Sequence, residues 1–194
     1  MLRIAIKTTL CLALVLSLTA ICFASDMRVV DVKAYIPQQN GLSVSISRVD
    51  AATETWTPAS AIDFETLVFD NVNKIFTAKC YYALDVGVTS TNPDWTVTHT
   101  ATSVINGSES LDNNVNVVFV KQLTNTTYSI LTKLSYANSN NQAFTKTQLS
   151  GGWLRIYYGI ATGEAGKDSP GTTPIPGTKT YGNYQGQVTF TLTP

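Results

Sequence analysis

The chain has 194 residues, a length typical of one domain, and its 13 basic and 13 acidic residues leave no net charge. This balance argues against a protein that binds nucleic acid or an anionic membrane, because such binding relies on clustered Lys and Arg. The hydrophobic fraction of 44% is too high for a disordered chain. Only 13% of residues are charged, and abundant Thr, which suits pleated, half-buried strands, takes their place.

Residues 1–24 have the features of a secretory signal peptide. Arg3 and Lys7 precede an apolar stretch over residues 10–23, and the small residue Ala24 marks a cleavage site. The stretch is shorter than the ~20 residues that cross a membrane. We therefore expect a mature chain without a membrane span, located outside the cytoplasm in the periplasm or on the cell surface. A retained anchor and a lipoprotein are the alternatives.

Cleavage would leave Cys80 as the only cysteine and change the net charge to −2, because Arg3 and Lys7 would be lost. The domain would then fold without an internal disulfide. Cys80 alternates with polar neighbours along an apolar strand face, and this position predicts a buried thiol.

The rest of the chain alternates apolar and polar residues with period two, which predicts β-strands throughout. In chain order the predicted strands lie near residues 30–36, 42–46, 62–69, 74–88, 95–101, 115–120, 128–134, 153–160 and 188–192. Turns rich in Gly, Asn, Asp, Ser and Pro separate these strands, and residues 163–177 are predicted to form a long loop. We expect an all-β protein, with residues 38–194 forming a single antiparallel Ig-like β-sandwich behind an N-terminal strand at 25–37.

Two end segments resemble subunits of bacterial fimbriae. Near the N-terminus, Val30-Asp31-Val32-Lys33-Ala34-Tyr35-Ile36-Pro37 precedes Leu42-Ser43-Val44-Ser45-Ile46, an alternating leader followed by a first strand. At the C-terminus, Tyr181-Gly182-Asn183-Tyr184 leads into the strand Val188-Thr189-Phe190-Thr191-Leu192. Together these segments resemble the alpha (class 5) pilins that the chaperone–usher route assembles. The resemblance covers roughly 30 residues and leaves the middle of the chain without a match.

The resemblance implies a secreted structural subunit that polymerises by donor-strand complementation, in which each subunit receives a strand from the next. The partners it implies are further copies, other surface subunits and a periplasmic chaperone. The candidate donor residues are Val30, Val32, Ala34 and Ile36, and the candidate acceptor strand carries Val188, Phe190 and Leu192. The alternating pattern over residues 28–36 equally suits the domain's own edge strand, so both assignments stay open.

The sequence offers little catalytic chemistry, and we predict a protein that is not an enzyme and has no cofactor or metal site. His99 is the single histidine, which leaves no two-histidine metal site, and its alternating neighbours predict a buried strand residue. Asp63 and Glu65 are two residues apart, a spacing that suits a carboxylate pair but also an outward polar strand face. We expect the polar face.

A carbohydrate-binding or adhesin module with the same fold is the alternative function. Trp56, Trp95 and Trp153 are the candidate rings for stacking on sugars. In the pairs at 81–82 and 157–158 the two tyrosines face opposite ways on a strand, so one ring of each pair is predicted outside. Aromatic residues are also common in sandwich cores, and the sequence favours that role.

Overall fold

The structure, a computed structural model, describes residues 33–35 and 37–194. The chain divides into two units, Met1–Ile36 and Pro37–Pro194. In the first unit the described residues 33–35 are exposed and lack regular secondary structure. The second unit consists of antiparallel strands and one short 3-10 helix. The prediction of an all-β protein is confirmed for the described residues, while the predicted signal peptide lies outside them.

Fourteen strands follow one another in the second unit. In chain order they are β1 (Asn40–Asp50), β2 (Trp56–Ala59), β3 (Val68–Asp70), β4 (Ile75–Thr77), β5 (Cys80–Ser90), β6 (Thr96–Ala101), β7 (Ile105–Asn106), β8 (Glu109–Ser110), β9 (Val115–Gln122), β10 (Tyr128–Ser135), β11 (Gln142–Thr145), β12 (Trp153–Ile160), β13 (Ile175–Pro176) and β14 (Val188–Thr193). The 3-10 helix spans Tyr136–Asn138.

The strands form several antiparallel sheets. The largest has six strands in the order β10-β9-β12-β5-β1-β2, and a three-stranded sheet has the order β11-β6-β14. A smaller three-stranded sheet, β13-β4-β3, and the hairpin β7-β8 complete the fold. β12 pairs with β9 on one side and with β5 on the other, so a late strand in the sequence lies at the centre of the largest sheet.

The core lies between the six-stranded sheet and the sheet β11-β6-β14. Alternate residues of β5, β9 and β12 point inward and are buried, because successive side chains on a strand face opposite ways. Phe119 of the large sheet packs against His99 and Phe144 of the smaller one, with ring centroids 5.2 and 5.0 Å apart. These ring contacts show that the two sheets share one apolar core.

Two strand predictions are wrong in detail. The predicted long strand at 74–88 is divided into β4 and β5, because β4 pairs with β3 and β13 whereas β5 joins the large sheet. Residues 62–66 are not a strand: the Asp63 carboxylate accepts a hydrogen bond from the Glu65 backbone N–H at 2.8 Å, and Glu65 has a positive φ of 57°. Turn chemistry at Asp63 therefore overrides the alternating pattern.

Candidate functional site at an open edge of the core

The last strand presents one apolar face to the core. Val188, Phe190 and Leu192 of β14 are half-buried and pack against the core, whereas the threonines between them are exposed. The Phe190 ring lies 5.5 Å from the ring of His99 on the neighbouring strand. β14 pairs with β6 on one side, and among the described residues no strand pairs with its other edge. This edge leaves the three apolar side chains only partly covered.

The first strand has a second incomplete edge. β1 pairs with β5 along its whole length, but β2 covers only residues 46–49 on the other side. Residues 40–45 therefore have no second partner strand within the described part of the chain. Val44 shares the inward face with Leu42 and Ile46, yet its side chain is 43% exposed while its ladder partner Val86 is 1% exposed. An inward-facing valine this exposed shows that the core is open beside it.

The two incomplete edges are close to each other. Cα atoms of β1 and β14 approach within 8 Å, but no hydrogen-bond ladder joins the two strands. We call this region the open edge and define it by Leu42, Val44, Val188, Phe190 and Leu192. Its unpaired backbone N–H and C=O groups can accept a further strand, and its side chains can cover an apolar face.

The residues directly before β1 are hydrogen-bonded to the residues that follow β5. The Thr91 N–H donates to the Gln39 carbonyl at 3.0 Å, and the Gln39 N–H donates to the Thr91 side-chain Oγ1 at 2.9 Å. The side chains of Gln38 and Asn92 are also hydrogen-bonded. The ladder between β1 and β5 therefore continues to residue 39. Residues 38–39 form no hairpin turn.

The predicted donor residues cannot be placed in this geometry. Val30, Val32 and Ile36 lie outside the described residues, and Ala34 is exposed and outside any strand. The predicted acceptor residues Val188, Phe190 and Leu192 do share one face of β14, as their alternation indicated.

The three predicted sugar-stacking tryptophans do not form one platform. Trp56 and Trp153 lie on the outer face of the six-stranded sheet, Trp56 on the edge strand β2 and Trp153 on the interior strand β12, and Trp56 is 42% exposed. Trp95 precedes β6 in the other sheet and packs partly against the core. Trp95 therefore cannot stack on the same sugar as Trp56 and Trp153, because β6 joins a different sheet from β2 and β12.

The sequence analysis missed Tyr128, on β10, as an outer-face ring. It lies in one cross-strand row with Gln122 and Trp153 and is 57% exposed. The outward tyrosines Tyr81 and Tyr157, with ring centroids 6.2 Å apart, confirm that one ring of each tyrosine pair is outside. Only the cross-strand register could have grouped these rings, since they come from three separate strands.

His99 is a fully buried strand residue with both ring nitrogens satisfied, as predicted. Its Nδ1 lies 2.8 Å from the Ser139 carbonyl oxygen, which can only accept, so Nδ1 carries the proton. Its Nε2 lies 2.8 Å from the Tyr158 hydroxyl, which donates to it. Burial lowers the pKa of His99, and the ring is therefore held neutral. This arrangement is structural, because neither nitrogen is left to act on a substrate.

Cys80, Asp63 and Glu65, the other candidate reactive residues, do not form a reactive pair with one another. Cys80 is a buried free thiol, as predicted, and Glu65 forms an ion pair with Arg48 at 3.3 Å, so it does not pair with Asp63. Within the described residues no three His, Cys, Asp or Glu side chains are grouped as a metal site would require. Over the same residues, no helix has both the length and the apolar character needed to cross a membrane.

Comparisons with known proteins identified no relative. No family model, no curated protein and no solved structure matches the chain.

Proposed function

We propose that this protein is a secreted, non-enzymatic structural subunit of a fimbria-like or cell-surface assembly, which polymerises by inserting a strand of one copy into the open edge of the next. The observation that carries the proposal is the pair of unpaired edges on β1 and β14, with the inward-facing but exposed Val44 between them. The implied class is an Ig-like β-sandwich subunit that lacks one strand.

The geometry of the open edge suits a single added strand. The two neighbours of an inserted strand lie about 9.6 Å apart, twice the ~4.8 Å spacing of paired strands. The two edges already approach within 8 Å, so a small separation would admit the strand. Such a strand would gain main-chain hydrogen bonds on both sides and would bury its apolar face against Val44 and Phe190.

The occupant we propose is the alternating N-terminal segment of another copy. Its apolar residues Val30, Val32, Ala34 and Ile36 recur at the spacing of one strand face. Gln39, directly before β1, is hydrogen-bonded to Thr91 and is not part of a hairpin turn, which suits a segment that serves a neighbour. Assembly outside the cytoplasm, with a periplasmic chaperone covering the edge beforehand, completes the proposal.

Complementary variants of the mature chain test this proposal. Val32→Asp should damage the donor segment, and Val44→Asp should damage the open edge while sparing the fold, because Val44 is already exposed. Each variant alone should stay monomeric in size-exclusion chromatography with light scattering. Mixed together, the two variants should form a heterodimer, because one chain retains an intact donor and the other an intact edge.

Two matched substitutions serve as controls. Lys33→Asp changes the polar side of the predicted donor strand, and Thr189→Asp changes the exposed face of β14. Both control variants should assemble as the unmodified chain does. A chain that stays monomeric at millimolar concentration, or Val44→Asp chains that still assemble, would contradict the proposal.

A further inference from the structure

The outer face of the six-stranded sheet carries a second group of exposed apolar and aromatic side chains. Cross-strand pairing places Ile130 beside Val120, and it places Lys133 and Tyr157 on either side of Val118. Tyr128 and Ile130 are 57% and 48% exposed. Clustered exposed apolar groups of this kind on a soluble protein commonly mark a binding surface.

These side chains line an open groove of about 370 Å³, a volume within the range of ligand sites. One wall is formed by Tyr128, Ile130 and Lys133 of β10, and the other by Tyr81 and Tyr157. The smaller residues Val118, Val120 and Gly159 lie between the walls, and Asn116 and Tyr158 complete the lining. We call this site the tyrosine groove. The sheet surface is concave here because residues with shorter side chains lie between residues with longer side chains on neighbouring strands.

The groove does not suit an extended peptide. Its central strands β9 and β12 are paired on both sides, so their backbone groups are already hydrogen-bonded. A peptide that adds to a sheet needs a free edge, which the middle of this groove lacks. A ligand must instead bind through its faces and its polar substituents. Tyrosine rings supply both, since each has an apolar face for stacking and a hydroxyl for hydrogen bonding.

Lys133 gives the groove a positive charge. No acidic residue lines the groove, and within the described residues Lys133 has no ion-pair partner. A ligand carboxylate near the Lys133 ammonium would therefore meet an opposite charge without a competing carboxylate of the protein. The charge of the site favours an anionic ligand.

We propose that the tyrosine groove binds an acidic oligosaccharide made of hexuronate pyranose units. The C–H faces of the sugar rings stack on Tyr128 and Tyr157, and a ring carboxylate pairs with the Lys133 ammonium. The groove lies on the face opposite the core, so this binding does not depend on strand exchange at the open edge. The protein would then recognise a polysaccharide surface independently of any assembly.

Isothermal titration of the mature chain with two matched sugars tests the proposal. The probe is the tetramer of β-1,4-linked glucuronate, and the neutral control is cellotetraose, which differs only in carrying CH₂OH in place of each carboxylate. We expect the glucuronate tetramer to bind at least tenfold more tightly than cellotetraose at low salt. The difference should shrink as salt increases, because screening weakens the charge pair.

Single substitutions locate the site. Lys133→Gln should reduce affinity for the acidic tetramer to that for cellotetraose. Lys121→Gln is the control, because Lys121 of β9 lies on the other face of the sheet, and it should leave the affinity unchanged. Tyr128→Ala and Tyr157→Ala should each weaken binding of the acidic tetramer at least fivefold, with circular dichroism and a thermal melt confirming the fold. Absence of acidic-tetramer binding by the folded chain, equal binding of both sugars, or binding that survives the tyrosine and Lys133 substitutions would overturn the proposal.

Discussion

Each face of β12 carries one pair of hydrogen-bonded polar side chains, and the two pairs differ in charge. On the inner face, the Tyr158 hydroxyl donates to His99 in the core, and both residues are essentially inaccessible to solvent. On the outer face, Arg155 binds Asp85 through two nitrogens at 2.5 and 2.7 Å and lies 4.9 Å from the Trp56 ring centroid. One strand therefore supports a neutral pair on one side and an ionic pair on the other.

The two pairs differ in charge because they differ in access to water. The inner pair is covered by the opposing sheet, and a charge there would lose its hydration without an opposite charge to replace it. The outer pair keeps contact with solvent, because the Asp85 side chain is 32% exposed while that of Arg155 is 8% exposed. The hydrogen bonds that Arg155 donates to Asp85 raise the pKa of Arg155, which keeps the guanidinium charged. On β12, therefore, the pair cut off from solvent is neutral, and the pair with partial access to solvent is charged.

The largest expected loss of stability comes from the inner face. Phe119→Ala should lower the free energy of unfolding by about 3–5 kcal/mol, because it removes a ring packed between His99 and Phe144. Urea denaturation of the mature chain measures the loss. The control Ile130→Ala, at an exposed outer position, should cost less than about 1 kcal/mol. Equal losses at the two positions would remove the contrast between the faces.

Breaking the outer ion pair should cost less. Asp85→Ala should destabilise the protein by about 2 kcal/mol, since it leaves the Arg155 guanidinium unpaired in a mostly buried position. The double variant Asp85→Ala with Arg155→Met should recover at least half of this loss, because no buried charge remains. The same urea assay compares the three chains. A double variant no more stable than Asp85→Ala would show that charge burial is not the cause.

Lowering the pH should destabilise the protein through His99, which lies on the inner face. Its folded-state pKa is lowered by burial, so only the unfolded chain takes up a proton as the pH falls below about 6.5. The contribution of His99 to the free energy of unfolding should fall by up to about 1.4 kcal/mol per pH unit below that pH. Above that pH the contribution should stay constant. Urea melts between pH 7.5 and 5 measure the slope. His99→Gln should reduce the slope, and an unchanged slope would contradict the assignment.

The smallest effect is expected at the open edge. Val44→Ala should cost the monomer less than about 1 kcal/mol, because the side chain is already 43% exposed. Its ladder partner gives the matched test: Val86→Ala should cost about 2 kcal/mol, since that side chain is 1% exposed. Thermal melts of dilute monomer compare the pair. If Val44→Ala costs as much as Val86→Ala, the edge is not open in solution.

Several features could be predicted from the sequence because they depend on neighbouring residues. The alternation from Val188 to Leu192 predicted one apolar face, and the predicted strand at 153–160 coincides with β12. The burial of Cys80 and His99 followed from their apolar alternating neighbours in the same way. Strand period and side-chain direction are local properties, so a short stretch of sequence contains them.

The short strands were missed because they carry little local signal. β2 and β11 have four residues each, and β7, β8 and β13 have two, which is too short for a period to be recognised. The tyrosine groove was missed for another reason. Its walls come from β10, β5 and β12, which become neighbours only through the pairing of β12 between β9 and β5.

The alternation of residues along the chain is enough to show that it forms strands and which side of many strands is apolar, since both depend on a period of two residues. The identity of neighbouring strands becomes visible only in the folded protein, because the order of strands in a sheet depends on contacts between distant residues. The pairing of Arg155 with Asp85 joins positions 70 residues apart, and nothing in either local sequence specifies it. The same long-range pairing leaves β1 and β14 with free edges, on which the proposed assembly depends.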